Sequence, residues 1–252
     1  MQTFSEQLYL VVDTSIQGVG LALVLRSNLQ HKVLWSGLAD GQFASAGKIS
    51  HLLEEGLRAA GCTLDDCKVI AVSVGPGSFT GIKIGLAWCY GLFAPRQQQL
   101  RWLPLSALEA AAMLAQQRGA QEAGSCLFLA STRTHGYIAY GHGGPLLVRS
   151  CLYAVGQGDS PWGALPEFLS STSLTLCGEW PLLVEEFQRH KLPWDEISIR
   201  QLMEWSLQGM ITQVLSAEYE QLSSKPPRPR YLRQSTAEEN LKGSKRHEFT
   251  TS

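Results

Sequence analysis

With 252 residues, 44% of them apolar and 17% charged, the chain is long enough to bury one large core or two small ones. Its 21 basic and 22 acidic side chains leave a formal net charge of −1, which excludes a body that grips nucleic acid through an overall basic surface. Six cysteines (Cys62, Cys67, Cys89, Cys126, Cys151 and Cys177) form no CxxC pair and read as reduced, small buried residues; Cys62 and Cys67 have no nearby histidine to complete a zinc set.

The N-terminus, MQTFSEQLYLVVDTS, has no basic stretch, and its apolar run from Leu8 to Val12 is too short for a signal peptide or a membrane span. A cytoplasmic protein without membrane association is expected. Leu8–Val12 reads as a buried strand ended by the polar turn Asp13-Thr14-Ser15. Val19–Leu25 and Lys32–Gly37 read as two more strands, with a turn at Ser27-Asn28, so the chain opens on an antiparallel meander.

From Ser45 to Ala60 the period changes to that of a helix, with Ile49, Leu52, Leu53, Gly56, Leu57 and Ala60 in phase and Gly61 as the stop. Val69–Val74 is a buried-type strand. It runs into Gly75-Pro76-Gly77-Ser78-Phe79-Thr80-Gly81, and a second helix follows over Ile82–Ala94, closed by Pro95. An extended segment begins at Trp102-Leu103. Ser106-Ala107-Leu108-Glu109 has the form of a capping box opening a helix to about Gln117. The order β-β-β-α-β-α-β is that of a ribonuclease-H-like half.

Further on, Cys126–Ser131, Gly136–His142, Leu146–Tyr153 and Thr175–Cys177 read as strands, and Pro181–His190 and Ile199–Ala217 as helices. After Leu222 the composition turns polar, charged and proline-rich, which points to a largely disordered tail over 223–252. No internal sequence repeat is visible. The histidines at 31, 51, 135, 142, 190 and 247 make no HxxxH or HExxH spacing, so no metal is expected.

The segment Ser73 to Gly85 is a strand, a glycine-rich turn and a helix start. Glycines there permit positive φ or close backbone approach, and Ser78 or Thr80 can cap the helix. The turn is either a structural bend or a cradle of amides for an anion. It is neither a Walker A loop, which ends Gly-Lys-Ser/Thr, nor a dinucleotide GxGxxG.

The string GPGSFTGIKIG resembles the signature of the TsaB (YeaZ) family. Tyr9-Leu10-Val11-Val12-Asp13-Thr14-Ser15 is similar to that family's opening strand and turn. Leu105–Glu109 is similar to its Ser-(Ser/Thr)-Leu-Glu segment, and Pro229-Arg230-Tyr231-Leu232-Arg233 to its Pro-x-Tyr-Leu-Arg motif. The resemblance spans about residues 8 to 233. It implies an α/β protein of the actin/Hsp70/sugar-kinase-like fold with two subdomains, the second reduced. They are placed at 1–104 and 105–198, with the helix near 199–217 packing back on the first.

The resemblance also implies a function. Such a protein is a subunit without catalytic residues or cofactor, which binds a TsaD-like catalytic subunit. A TsaE-like ATPase joins the assembly, and threonylcarbamoyl is transferred to the adenosine beside the tRNA anticodon, with tRNA contacted indirectly. By this resemblance the partner helices would meet Ile49, Leu52, Leu53, Ile82, Gly85, Leu86 and Cys89; the same seven also fit an intramolecular core. Self-association as a homodimer when alone is left open. Asp13, Thr14 and Ser15 stand where catalytic relatives in the fold group organise Mg²⁺ and phosphate; a turn residue accepting backbone hydrogen bonds is the alternative.

Two departures from the family pattern stand out: Ser45 replaces a histidine, and Ser131-Thr132-Arg133 replaces Asp-Ala-Arg. Both fit a protein with no active site to maintain. The competing readings are an ATP-binding or ATP-hydrolysing enzyme, which needs phosphate contacts from both halves, and a peptidase, which needs an activated nucleophile or a metal-bound water. Lys225, Arg228 and the Pro229–Arg233 motif form the one basic cluster, read as a solvated tail or as one that orders on a partner or brushes tRNA phosphates.

Overall fold

The computed structural model describes residues 6–27, 31–41, 46–118, 124–131, 135–141, 149–154, 172–218 and 221–232. The first sheet contains β1 (Gln7–Asp13), β2 (Val19–Arg26), β3 (His31–Ala39), β4 (Cys67–Ser73) and β5 (Arg101–Leu105), in the order β3-β2-β1-β4-β5. β1, β2 and β3 pair antiparallel, whereas β1, β4 and β5 are parallel. β1 and β4 are apolar on both faces because helices cover both sides of the sheet.

One side carries α1 (Ala46–Ala60) and α2 (Phe79–Phe93), packed on Leu8, Leu10, Val12, Leu21, Leu23, Ile70 and Val72. The other side, through Tyr9, Val11, Ala22, Val24, Val69 and Ala71, meets α3 (Ala107–Arg118) and α5 (Ile199–Ser216). Burying each Leu or Val side chain of β1 stabilises the fold by about 1.5–3 kcal/mol, and Leu10, Val11 and Val12 are fully buried.

The second sheet contains β6 (Gly124–Ala130), β7 (His135–Gly141), β8 (Arg149–Ala154), β9 (Thr172–Cys177) and β10 (Trp194–Ile197). Its order, β8-β7-β6-β9-β10, repeats that of the first, as do its directions: β6-β7-β8 antiparallel, β6-β9-β10 parallel. The helices repeat too. α2 follows β4 as α4 (Pro181–Arg189) follows β9, and α3 follows β5 as α5 follows β10. Residues 155–171, between β8 and β9, lie outside the described residues.

Among the described residues the two units thus share three antiparallel strands followed by a βαβα run, and the repeat puts the division between units after α3 rather than at residue 104. Phe128, Ile138, Leu174 and Leu176 face α4 on the outside, while Leu127, Leu129, Tyr137 and Ala139 face α3 and α5. Five layers result, with α3 and α5 in the middle, filling the space between the two sheets.

Helix ends follow local chemistry. Ser78 caps α2 by accepting the Gly81 amide at 3.1 Å, so the helix starts three residues before the apolar phase at Ile82. Ser198 caps α5 through the Gln201 amide. Ser106 Oγ accepts the Glu109 amide at 3.2 Å, forming its half of the capping box, while Glu109 Oε1 takes Arg230.

Residues 223–232, the start of the segment expected from composition to be a disordered tail, have a defined course along the open edge of the first sheet. Ser223 and Trp102 exchange two backbone hydrogen bonds of 2.8 Å each, adding an antiparallel bridge to β5. Residues 233–252 lie outside the described residues.

Candidate functional site

The chemistry-bearing turn at the end of β1 is closed from within. Asp13, 3% exposed, accepts the Ser15 amide (2.9 Å) and the Ser15 hydroxyl (2.8 Å) at Oδ1. Its Oδ2 accepts the Ser206 hydroxyl of α5 at 2.6 Å. Ser73, the last residue of β4, donates its hydroxyl to Ser15 Oγ at 2.8 Å. The local pattern is an Asx turn. α5 delivers a third hydroxyl group, that of Ser206, to it from 193 residues away. With both oxygens occupied and the side chain buried, the Asp13 carboxylate is a structural acceptor that anchors α5 to β1.

The glycine turn bears on the same place. Gly75 and Gly77 have φ of +109° and +152°, backbone that L side chains rarely adopt, and the Gly75–Pro76 peptide is cis. The Ser78 amide donates to the Ser15 carbonyl at 2.6 Å, and the Val74 amide to Leu105 O at 2.9 Å. α2 then passes so close to β1 that a Cβ at Gly81 would overlap the Thr14 carbonyl and one at Gly85 would overlap Thr14 Oγ1. Two turn amides, those of Ser78 and Gly81, are therefore bonded inside the protein and unavailable to an anion. The signature residues Gly75, Pro76, Gly77, Ser78, Phe79, Thr80 and Gly81 come together with Asp13, Thr14 and Ser15, and the contact is structural bracing.

The duplication shows what faces this turn in the second unit. β6 ends at Ala130 as β1 ends at Asp13, so Ser131 stands beside the equivalent place, and its amide closes the β6–β7 hairpin on His135 O at 3.1 Å. Thr132 and Arg133 lie outside the described residues, as do Ser45, His142, His247 and Arg233. The second unit's counterpart of the glycine turn is Gly178-Glu179-Trp180-Pro181, with Trp180 1% exposed. Among the described residues no group of three or more His, Cys, Asp or Glu could hold a metal ion. No helix among them is long and apolar enough to cross a membrane.

The seven residues assigned to a partner surface need correcting. Ile49, Leu52 and Leu53 of α1 and Ile82, Gly85, Leu86 and Cys89 of α2 are all buried against the sheet, in one core with Leu10 and Val72. Their side chains hold the helices to their own unit. α2 is apolar nearly all round, so periodicity identified the helix but not which side was outward. The outward side carries exposed Lys83, Ala87 and Gly91 at four-residue spacing, flanked by half-buried Ile84, Trp88 and Leu92. Trp88 Nε1 donates to Ser50 Oγ at 3.0 Å, fixing α2 beside α1.

The tail motif also has a place. Arg230 donates its amide to the Val74 carbonyl at 2.7 Å, directly before the glycine turn, and its guanidinium meets Glu109 at 2.9 Å. Tyr231 lies over Phe79, ring centroids 4.6 Å apart, and Leu232 packs at the edge of the central core. Sequence reasoning missed Ser73 and Ser206. Ser206 carries no local signal, because only the return of α5 gives it a role.

Fold and site together define an α/β protein of the actin-like fold with a repeated unit, the turn after β1 sealed by its own side chains. Residues 44–151, less than half of the chain, match the family model described as TsaD: tRNA N6-adenosine threonylcarbamoyltransferase. Comparison with curated proteins gives no match. Among solved structures, the chain is similar to an uncharacterized Pseudomonas aeruginosa protein described as having similarity to peptidase YeaZ, with a TM-score of 0.61, 19% identity, 90% of this chain and 100% of that one covered. It is also similar to YeaZ from Pseudomonas aeruginosa, with a TM-score of 0.57, 18% identity and the same coverage. The chain therefore resembles the TsaB (YeaZ) family in fold as well as in its motifs.

Proposed function

We propose that the protein is a non-catalytic subunit that binds a TsaD-like enzyme and is required for threonylcarbamoyl transfer to the adenosine beside the tRNA anticodon. The observation that carries this reading is the closure of the Asp13 turn: both carboxylate oxygens are taken by Ser15 and Ser206. A kinase or ATPase of this fold would need that carboxylate, and a matching turn in the second unit, for Mg²⁺ and phosphate. The glycine-turn signature and the family-model match over 44–151 support the tRNA-modification setting.

The partner surface in this reading is the outward stripe of α2. Ala87 and Gly91 are small and exposed, and nothing stands within 4 Å of a Cβ built on Gly91. Such residues let a second helix approach closely, while Ile84, Trp88 and Leu92 supply apolar contact. A TsaE-like ATPase would join that assembly, and self-association through the same stripe is the competing use of the surface when the partner is absent.

The test has two arms. Light scattering after size-exclusion chromatography of this chain mixed with the TsaD homologue of its own genome should give a complex that Ala87→Arg abolishes with the melting temperature unchanged. Deleting the gene should remove threonylcarbamoyladenosine from tRNA, measured by nucleoside mass spectrometry. Intact modification in a cell lacking a paralogue would sink the proposal.

The runner-up is an ATP-binding enzyme, and calorimetry with ATP and Mg²⁺ separates it: heat of binding would favour the enzyme. A peptidase has less support. Ser78 is exposed, but its hydroxyl accepts the Gly81 amide as a helix cap.

A further inference from the structure

Residues 221–232 give the first unit a local character that the net charge of the chain conceals. The segment is held by its backbone: Ser223 on Trp102, the Lys225 amide on Ser223 Oγ at 3.0 Å, the Tyr90 hydroxyl on the Pro227 carbonyl, and the Arg230 amide on Val74 O. Pro226, Pro227 and Pro229 are half-buried, whereas Lys225, Arg228, Arg230 and Tyr231 are exposed. Cations are thus presented from a fixed strap rather than a loose tail.

An aromatic ring follows the last of these cations in the chain. Tyr231 is 40% exposed, one of two large apolar side chains this open among the described residues. It is braced from below by Phe79, and Lys83 Nζ sits 3.9 Å from the centre of the Phe79 ring. Lys83 belongs to the same outward stripe of α2 as Ala87 and Gly91, so the strip continues directly from the surface assigned to the partner. Glu109 is the acid that meets the strap, and it does so at Arg230.

An exposed ring flanked by fixed cations is the combination that holds single-stranded nucleic acid. Charges track the phosphates, and a base stacks on the ring without sequence preference. We propose that Lys225, Arg228 and Lys83, with Tyr231, form a contact for single-stranded or loop RNA. The inference rests on the function proposed above for its choice of RNA. It goes beyond the phosphate contact left open for the tail by adding a stacking ring, Tyr231, and a cation from α2, Lys83. Two or three phosphate contacts make a weak site, in keeping with a net charge of −1, and the strip would act as an added grip beside the docked partner.

The test titrates the full chain into a fluorescein-labelled, unstructured RNA of about 12 nucleotides, read by anisotropy between about 50 and 200 mM salt. The double variant Lys225→Glu/Arg228→Glu should bind about tenfold more weakly or worse, with the log–log salt slope reduced by about 1.4. Tyr231→Ala should weaken binding about fivefold or more with the slope unchanged, and Tyr231→Phe should restore it. Equal affinity of wild type and the double variant at every salt concentration, or no anisotropy change for the wild type, overturns the strip. Gene deletion reports separately on the modification role. Modification lost on deletion but RNA binding indifferent to the strap would remove only this inference.

Discussion

Gly85 on α2 and Thr14 at the end of β1 compete for the same volume. A Cβ on Gly85 would overlap Thr14 Oγ1 and stand 3.2 Å from both Thr14 Cβ and Cγ2, and that Oγ1 is buried with no hydrogen-bond partner among the described residues. Gly85→Ala should therefore destabilise the protein by about 2–3 kcal/mol through overpacking. Thr14→Ala removes an unsatisfied hydroxyl and should cost less than about 1 kcal/mol. The double variant should recover at least about 1 kcal/mol relative to Gly85→Ala, a coupling that urea unfolding would measure. Additive losses would mean that the two side chains do not share the space. Substitution at Gly85 thus probes the fold and not a docking surface.

The sealed turn makes a second expectation. Ser206→Ala should lower stability by about 1–2 kcal/mol, and Asp13→Ala by about 3 kcal/mol, because the latter takes the acceptor from the Ser15 amide and hydroxyl and leaves Ser206 only its bond to Met203 O. Combining the two should cost less than the sum. Neither should create or abolish a heat of ATP binding in calorimetry.

Burial separates the thiols. Desolvation pushes Cys67 and Cys177 up to about 12 and Cys89 still higher, while Cys62 is only half-buried and rises less, through desolvation and then the nearby Asp66. At pH 8, a thiol reagent followed by peptide mass spectrometry should label Cys62 before Cys67, Cys89 and Cys177, which should react only on unfolding.

The same shifts set an alkaline limit. These thiols keep their protons in the folded state after the unfolded chain has lost them, so the native state binds more protons above pH 9. Their contribution is complete below about pH 9 and falls as pH rises toward 12. About 1 kcal/mol per thiol should be gone at pH 10, and Cys67→Ala should flatten the alkaline part of a urea-midpoint curve.

The strap covers a sheet edge. Removing residues 223–252 should expose the Trp102 amide, whose hydrogen bond runs to Ser223 O at 2.8 Å. Hydrogen exchange at Trp102 should accelerate, and stability should fall by about 2 kcal/mol as Tyr90, Val74 and Trp102 lose partners. Unchanged protection at Trp102 would mean that the strap is not held in solution.

The first unit was legible because its signals are local. Apolar runs, the Ser78 cap and the glycine turn each occupy a few consecutive residues, and α1 and β4 fall within two residues of their expected bounds. Three things were hidden for different reasons. β10, Trp-Asp-Glu-Ile, has no strand pattern, and only its parallel pairing with β9 makes it one. The duplication is carried by pairing order, not by shared residues: Gly75–Gly81 in one unit corresponds to Gly178–Pro181 in the other. The strap looked disordered because composition counts side chains, whereas its bonds come from backbone groups meeting the β5 edge. At α2 the helix was read correctly but its outward side was not, since apolar residues surround it and only the sheet decides which side turns in.

The return of α5 and the strap has a consequence for synthesis. The first unit emerges from the ribosome without the hydroxyl that completes Asp13, without the segment that edges β5, and without the helix that shares its inner face with α3. Its nascent form carries a partly bare apolar sheet face and a half-satisfied buried acid until nearly a hundred further residues follow. Contacts of such long sequence separation are slow to form. The N-terminal half is therefore the part most in need of chaperone shelter during translation, although it holds the more regular sequence.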